Sequence, residues 1–260
     1  MKYTSSAVWG VYSVWYRHAK VYQKTWLVNC LPPLLGPLLY LLAFGYGLTP
    51  LVKAVSYAGQ TVPYLQFIAP GMIAVGVLFQ SFFEGSYGSV LRLKYQKTWQ
   101  FLLTAPLSFI EVFLGELLWA TTKGVLAGIL TGIVVVILGI YSSWHLLLSL
   151  PLIILGSLMF GSMGMLTTAV VRTAEEINIP LCLLIIPMFT ICGTYFPRDT
   201  LPPIIRKVAD ILPLAPLIDL LRSMYGLPSW WILDLMMLLL WTGGFAVLAA
   251  RLIYPQLIQT

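Results

Sequence analysis

The chain alternates between long apolar runs and short polar segments. Six of the runs are long enough to cross a bilayer, since one crossing needs about 20 apolar residues. The polar segments between them are too short to form a soluble domain. The pattern therefore predicts an all-α polytopic membrane protein, a single domain over residues 1–260, with six transmembrane helices at residues 27–48, 64–88, 108–140, 146–171, 177–196 and 230–252.

An amphipathic pattern occupies residues 1–25. Apolar and aromatic residues recur every three or four positions from Val8 to Trp26, and a polar face with three cations lies opposite them. This arrangement is typical of a helix that lies flat among the headgroups. The helix is either a plain membrane anchor or a gate and interface helix, for which the candidate residues are Trp15, Arg17, Lys20 and Lys24.

A basic segment at residues 89–107 separates the second and third apolar runs. It contains three cations and no acidic residue, and positive charge beside a span marks the cytoplasmic side. A short apolar stretch follows these cations, and a proline ends it. This segment is either a contact for a soluble partner or an ordinary interfacial loop. The candidate contact residues are Arg92, Lys94, Lys97, Trp99, Phe101, Leu103 and Pro106.

Residues 197–228 do not fit the simple alternation. They hold two amphipathic pieces that are too short to span a membrane and too apolar to lie free in water, so we expect re-entrant or interfacial helices between the fifth and sixth spans. Asp219 and Arg222 are three residues apart and are predicted to pair.

The distribution of cations predicts the orientation. With both termini in the cytoplasm, ten of the 15 lysines and arginines lie on the inner side, and five lie outside. Four of those five fall within residues 197–228, where three aspartates offset them locally. A cytoplasmic location of this segment is the alternative.

Composition supports the membrane assignment and limits the function. The chain is 59% hydrophobic and 9% charged, whereas soluble domains carry roughly 25% charged residues. The net charge of +6 is a topology signal and an attraction to anionic lipids, and no basic face is free for nucleic acid. The three cysteines lie in apolar runs without a CxxC spacing, which indicates packing residues, and no metal-ligand cluster is visible.

No enzyme motif is present. The chain lacks a Walker A sequence and a G-x-S-x-G motif, so any ATP hydrolysis must come from another chain. Charges within the spans are few, which disfavours a proton-coupled antiporter. Glu84 is expected to reach out to the interface. A tandem GxxxG at Gly124, Gly128 and Gly132 indicates close helix packing, within one subunit or between two.

Several motifs together resemble a known family. They follow one another as Glu84-Gly-Ser-Tyr-Gly-Ser, Phe101-Leu-Leu-Thr-Ala-Pro-Leu-Ser, Glu111 to Glu116, Gly193-Thr-Tyr-Phe-Pro and Leu212-Pro-Leu-Ala-Pro-Leu-Ile-Asp-Leu-Leu-Arg. The whole chain resembles the permease subunits of ABC type-2 exporters, above all the nodulation lipo-oligosaccharide permeases and more distantly the O-antigen and teichoic-acid permeases. Where that family often has Thr-His, this chain has Ala215-Pro216, so no role of that histidine carries over.

The resemblance implies a partner and a location. It implies a second copy of the chain and two ABC ATPase subunits, which bind ATP and magnesium, while this chain holds no cofactor. The segment at residues 89–107 would dock on the ATPase, and residues 197–228 would lie at the outer mouth, in a bacterial cytoplasmic membrane.

The resemblance also implies a substrate class. An amphipathic lipid-linked saccharide would cross between two subunits; drug or lipid efflux by the same family is the alternative, and an ATP-independent channel or lipid-modifying enzyme is a third hypothesis. Aromatic rings near the outer ends of the spans either stack on sugar faces or form a membrane belt. These candidate pathway residues are Tyr40, Phe44, Tyr195 and Phe196.

Overall fold

The computed structural model describes residues 7–48, 51–227 and 229–258. The chain is helical along most of this length, as the apolar pattern predicts. The helices are α1 (Ala7–Lys24), α2 (Trp26–Tyr40), α3 (Tyr64–Phe83), α4 (Thr98–Thr104), α5 (Phe109–Ile137), α6 (Ser143–Val170), α7 (Asn178–Pro180), α8 (Ile186–Ile191), α9 (Pro203–Ile211), α10 (Leu214–Met224) and α11 (Trp231–Ile258). π-Helical segments extend α2 (Leu41–Tyr46) and α3 (Glu84–Gly88, Leu91–Tyr95).

In the part of the chain that the structure describes, five helical stretches are long and apolar enough to cross a membrane. They correspond to the predicted first, second, third, fourth and sixth spans, and they are Trp26–Phe44, Tyr64–Tyr95, Phe109–Ile137, Ser143–Val170 and Trp231–Leu257.

The predicted fifth span, residues 177–196, is a short and irregular helix. Helical backbone runs without a gap from Glu175 to Ile191, as a 3₁₀ turn, the three-residue α7, a π-helical segment Leu181–Ile185 and α8, and the residues at these junctions keep right-handed helical φ and ψ angles. Pro187 lies just after the π-helical segment, and a proline lacks the N–H that a helix interior needs, which favours such an irregularity. The predicted fifth crossing therefore ends at Ile191 and is not a regular α-helix.

A β-hairpin lies where the sequence predicts only an outer loop. Strand β1 (Ala54–Tyr57) pairs antiparallel with β2 (Gln60–Pro63). The two turn residues between them, Ala58 and Gly59, both have positive φ angles, 50° and 80°, as a two-residue hairpin turn requires. The all-α prediction is incomplete at this point.

The helix bundle has two distinct ends. At one end, which we call the hairpin end, the start of α3 and the last turns of α5 pack against the hairpin. At the other end, which we call the α4 end, α1 and α4 pack against the start of α5 and the last turns of α6 and α11. A third apolar cluster fills the middle, between α3, α6 and α10. A capping box of Ser108 and Glu111 fixes the start of α5.

Glycines allow α3, α5 and α6 to pack closely. A Cβ on Gly128 would lie 2.7 Å from Ile153 of α6 and 2.9 Å from Val77 of α3. A Cβ on Gly164 of α6 would lie 2.6 Å from the carbonyl oxygen of Phe82. The contact involves backbone, so a side chain there cannot be accommodated by a rotamer change. The tandem GxxxG is thus used for packing within the subunit.

The two amphipathic pieces in the predicted re-entrant segment differ in burial. All residues of α10 from Leu214 to Arg222 are buried, because this short helix packs against α3, α6 and α11. Helix α9 instead leaves Ile204, Val208 and Ile211 exposed.

Candidate functional site

A buried carboxylate on α5 forms the centre of a charge network at the α4 end. The Glu116 side chain has no exposed surface. It accepts hydrogen bonds from Arg92 Nε at 2.8 Å and from His18 at 2.9 Å, and Arg17 Nη2 lies 3.5 Å away. A buried carboxylate is stable only with such partners, and these come from α1 and from the basic segment.

A second carboxylate completes the network. Glu84 lies directly after α3 and accepts hydrogen bonds from Arg92 Nη1 at 2.8 Å and from Trp119 Nε1 at 3.0 Å. Lys123 Nζ lies 3.2 Å from the other carboxylate oxygen and also donates to Asn29 of α2. The expectation that Glu84 reaches out to the interface is wrong, because Arg92 on the continuation of α3 and two donors on α5, Trp119 and Lys123, hold it inside.

Arg92 therefore joins two carboxylates on two different helices. Its side chain is 14% exposed, so it does not lie on the surface as a free contact for a partner. Arg92 lies on the extension of α3, eight residues after Glu84, so its bond to Glu84 stays within that helix, whereas its bond to Glu116 joins the extension to α5. Because His18 and Arg17 meet the same Glu116, the basic segment is also tied to α1. Breaking a buried ion pair of this kind costs about 3–5 kcal/mol.

The other candidates in the basic segment divide into buried and exposed groups. The Lys94 ammonium donates to the Val171 carbonyl, Trp99 is fully buried, and Leu103 is partly buried in the apolar cluster of this end. Phe101, by contrast, is 71% exposed. The remaining exposed candidates are Lys97 and Pro106. Helix α4 thus presents an exposed aromatic ring next to a free cation.

Helix α1 packs on α5 through a face that the sequence analysis missed. Gly10, Val14 and His18 are buried, and a Cβ on Gly115 of α5 would lie 2.6 Å from Val14 Cβ. The four-residue spacing of these positions was the available signal.

The gate-helix candidates divide into two that contact α5 and two that are exposed. Trp15 donates to Thr122 of α5 at 2.9 Å, and Arg17 belongs to the charge network. Lys20 and Lys24 are exposed. The structure thus brings two of the four onto α5 and leaves the other two on the surface.

Three of the four candidate pathway residues lie together. The Phe44 ring lies 4.9 Å from Tyr195 and 6.0 Å from Tyr40, measured between ring centroids. Phe189 of α8 joins them, 5.3 Å from Tyr195; it was missed because it lies inside an apolar run. Phe196 is 37% exposed and makes no ring contact within the described residues.

At the hairpin end, the predicted pair of Asp219 and Arg222 has a separation of 3.9 Å. Arg222 mainly donates to the carbonyl oxygens of Phe67 and Gly193. Asp219 is held more closely by Arg198, with which it forms an ion pair, and it accepts a hydrogen bond from the Tyr57 hydroxyl. Burial and the neighbouring Asp219 carboxylate raise the pKa of Tyr57 to about 12.

Comparison with known proteins decides the family. A family model described as "ABC-2 type transporter" matches residues 10–225. The chain belongs to the ABC-2 type transporter family. The match includes the whole charge network, α4 and the aromatic cluster. An ABC-2 permease is a membrane-embedded transport subunit, so the hypothesis of an ATP-independent channel or enzyme no longer stands.

Individual relatives of this ABC-2 permease agree with the family assignment. The chain is 37% identical to a "Nodulation protein J" of Rhizobium meliloti over 85% of this chain and 83% of that protein. It is 38% identical to a "Nodulation protein J" of Rhizobium leguminosarum over 83% of this chain and 82% of the relative. The "Inner membrane transport permease YadH" of Escherichia coli is 24% identical over 82% of this chain and 81% of its own.

Proposed function

We propose that this permease exports a lipid-linked saccharide with energy from a separate ABC ATPase that docks on α4. The observation that carries the proposal is Phe101. A phenylalanine that is 71% exposed on a short helix, beside the exposed Lys97, has the character of an aromatic anchor for a protein partner. Helix α4 then faces the cytoplasm, and the hairpin end faces outward in a bacterial cytoplasmic membrane.

The charge network supports a route for energy transmission. ATP closes the ATPase dimer and displaces α4. Arg92, on the extension of α3, passes the displacement to α5 and α1 through Glu116. Rigid ion pairs suit this task because packed interfaces switch between discrete arrangements rather than deform continuously.

Two copies of the chain would form the passage. The apolar side chains of α2 are largely uncovered, with Leu31 49% and Leu39 60% exposed. The irregular helix after α6, residues 175–191, is uncovered as well, with Leu183 79% exposed. We propose that these faces meet across the dimer seam and that this irregular helix serves as the fifth of six crossings, with α9 and α10 as the re-entrant element at the outer mouth.

The proposed substrate combines sugar and lipid. Relatives named nodulation proteins and the resemblance to lipo-oligosaccharide permeases favour it, and Tyr40, Phe44 and Tyr195 offer ring faces for sugars. Drug or lipid efflux is the second candidate. A largely apolar cavity of about 300 Å³, lined by Tyr40, Phe79 and Phe83 among others, favours it, since it suits an alkyl chain or drug.

Purification of the tagged chain from its native membranes tests the proposal. We expect an ABC ATPase to copurify, and we expect its ATP hydrolysis in nanodiscs to rise several-fold with a lipid-linked oligosaccharide but not with the matching lipid alone. Equal stimulation by the lipid alone would favour the second candidate. A preparation without ATPase activity, or one in which the chain alone hydrolyses ATP, would contradict the proposal.

A further inference from the structure

A large cavity lies at the hairpin end, away from the charge network and the aromatic cluster. Its volume is about 710 Å³, within the range of ligand sites. The hairpin contributes Tyr57, α10 contributes Asp219, and the first turn of α11 contributes Asp234. The cavity therefore joins parts of the chain that are more than 100 residues apart in sequence.

The charges of the lining leave one carboxylate without a partner. Among the described residues, both arginines of the cavity are paired: Arg198 with Asp210 at 3.2 Å and with Asp219, and Arg206 with Asp199 at 2.8 Å. Asp234 has no ion pair and no side-chain hydrogen bond in the described part of the chain, although it is half-buried. The paired arginines leave no free cation for a phosphate, so the cavity offers an acceptor for a ligand that donates hydrogen bonds.

Two further groups beside Asp234 indicate what kind of donor fits. The hydroxyl oxygen of Ser229 is buried and has no hydrogen-bond partner among the described residues, and Ser229 lines the cavity. Trp230, which is 80% exposed, lines the cavity as well. An apolar ring face next to unsatisfied polar groups matches a sugar ring, which has an apolar face and a rim of hydroxyl groups. Buried polar groups without a partner are rare in proteins, so a ligand that satisfies them gains affinity.

We infer that this cavity binds a sugar ring at the hairpin end, with hydroxyl groups donating to Asp234 and the ring face on Trp230. The inference rests on the proposed function for the substrate class and for the outward orientation of this end. It adds a second saccharide site, which would receive the head of the substrate after it leaves the passage.

Binding of soluble saccharide to the full permease–ATPase complex in nanodiscs tests the inference. The probes are a neutral glucose tetrasaccharide, a glucosamine tetrasaccharide and spermidine, with calorimetry as the readout. We expect at least one of the tetrasaccharides to bind, and Asp234→Asn and Trp230→Ala each to weaken it at least tenfold. Trp231→Ala is the matched control, because this neighbouring tryptophan is exposed and does not line the cavity; it should bind as the wild type does.

Each other outcome counts against the inference. If neither tetrasaccharide binds, or if both variants bind as tightly as the wild type, the cavity is not a sugar site. If spermidine binds in an Asp234-dependent and Trp230-independent manner and the sugars do not, the site is for cations. ATPase activity that follows lipid-linked saccharide as usual in these cases would leave the proposed function intact.

Discussion

Replacement of Glu116 by leucine is expected to lower the free energy of unfolding by about 3–5 kcal/mol, the usual cost of leaving a buried charge unpaired. Glu116 is fully buried and holds Arg92 and His18 directly. Without it, His18 and Arg17 lose their carboxylate neighbour, and Arg92 keeps Glu84 as its carboxylate partner. The measurement is equilibrium unfolding of the purified protein in mixed micelles. Glu175→Leu, a change of the same kind at an exposed carboxylate, should have little effect.

The double variant Arg92→Met with Glu116→Leu separates stability from energy transmission. Because both charges are removed together and Glu84 retains Lys123 at 3.2 Å, we expect most of the stability to return. ATP-driven transport should nevertheless be lost, since the ion pair between the basic segment and α5 is absent. A double variant that is stable and transports normally would show that the network is only structural.

Replacement of Phe101 by aspartate is expected to abolish transport without unfolding the chain. The side chain is mostly exposed, so the loss falls on the partner contact rather than on the core. Truncation of an aromatic anchor commonly costs at least about 2 kcal/mol of binding energy, which weakens a complex roughly 30-fold. The measurements are the amount of copurified ATPase and the rate of ATP-driven transport, each compared with the melting temperature of the variant.

Two further variants distinguish a lost partner contact from a destabilised chain. Phe101→Leu keeps an apolar contact and should retain most of the coupling. Trp99→Asp should instead destabilise the chain, because Trp99 is fully buried, so a loss of transport there would not identify a docking residue. If Phe101→Asp copurifies as much ATPase as the wild type, α4 is not the docking element.

The sequence predicts the helices much better than their ion pairs. The apolar runs predict five of the spans correctly, because a membrane helix needs apolar side chains both against the lipid and against the protein interior. The two carboxylate partners of Arg92 lie 8 and 24 residues away from it in the sequence. His18 and its partner Glu116 are 98 residues apart. Pairing at such separations is decided by how α1, α3 and α5 pack, which no local pattern encodes. Glu84 was therefore assigned to the interface although three donors surround it.

The sequence does not predict the irregular fifth helix or the β-hairpin, for a similar reason. The fifth apolar run is helical from Glu175 to Ile191, but with Pro180 and Pro187 inside it the helix includes a π-helical segment, and no local pattern predicts that irregularity. The hairpin turn uses Ala58-Gly59 in place of the usual Asn-Gly, so the local signal was weak. The aromatic cluster was found in part, since Tyr40, Phe44 and Tyr195 stand near run ends and Phe189 does not.

The most direct test of the account is the sidedness of α4. In a chain whose cysteines at 30, 182 and 192 are replaced by serine, Thr104→Cys provides a single label site at an exposed position of α4 and keeps Phe101 in place. A membrane-impermeant maleimide should label it in inside-out vesicles but not in intact spheroplasts, and bound ATPase should protect it. Labelling in intact spheroplasts would place α4 outside the cell and contradict the account.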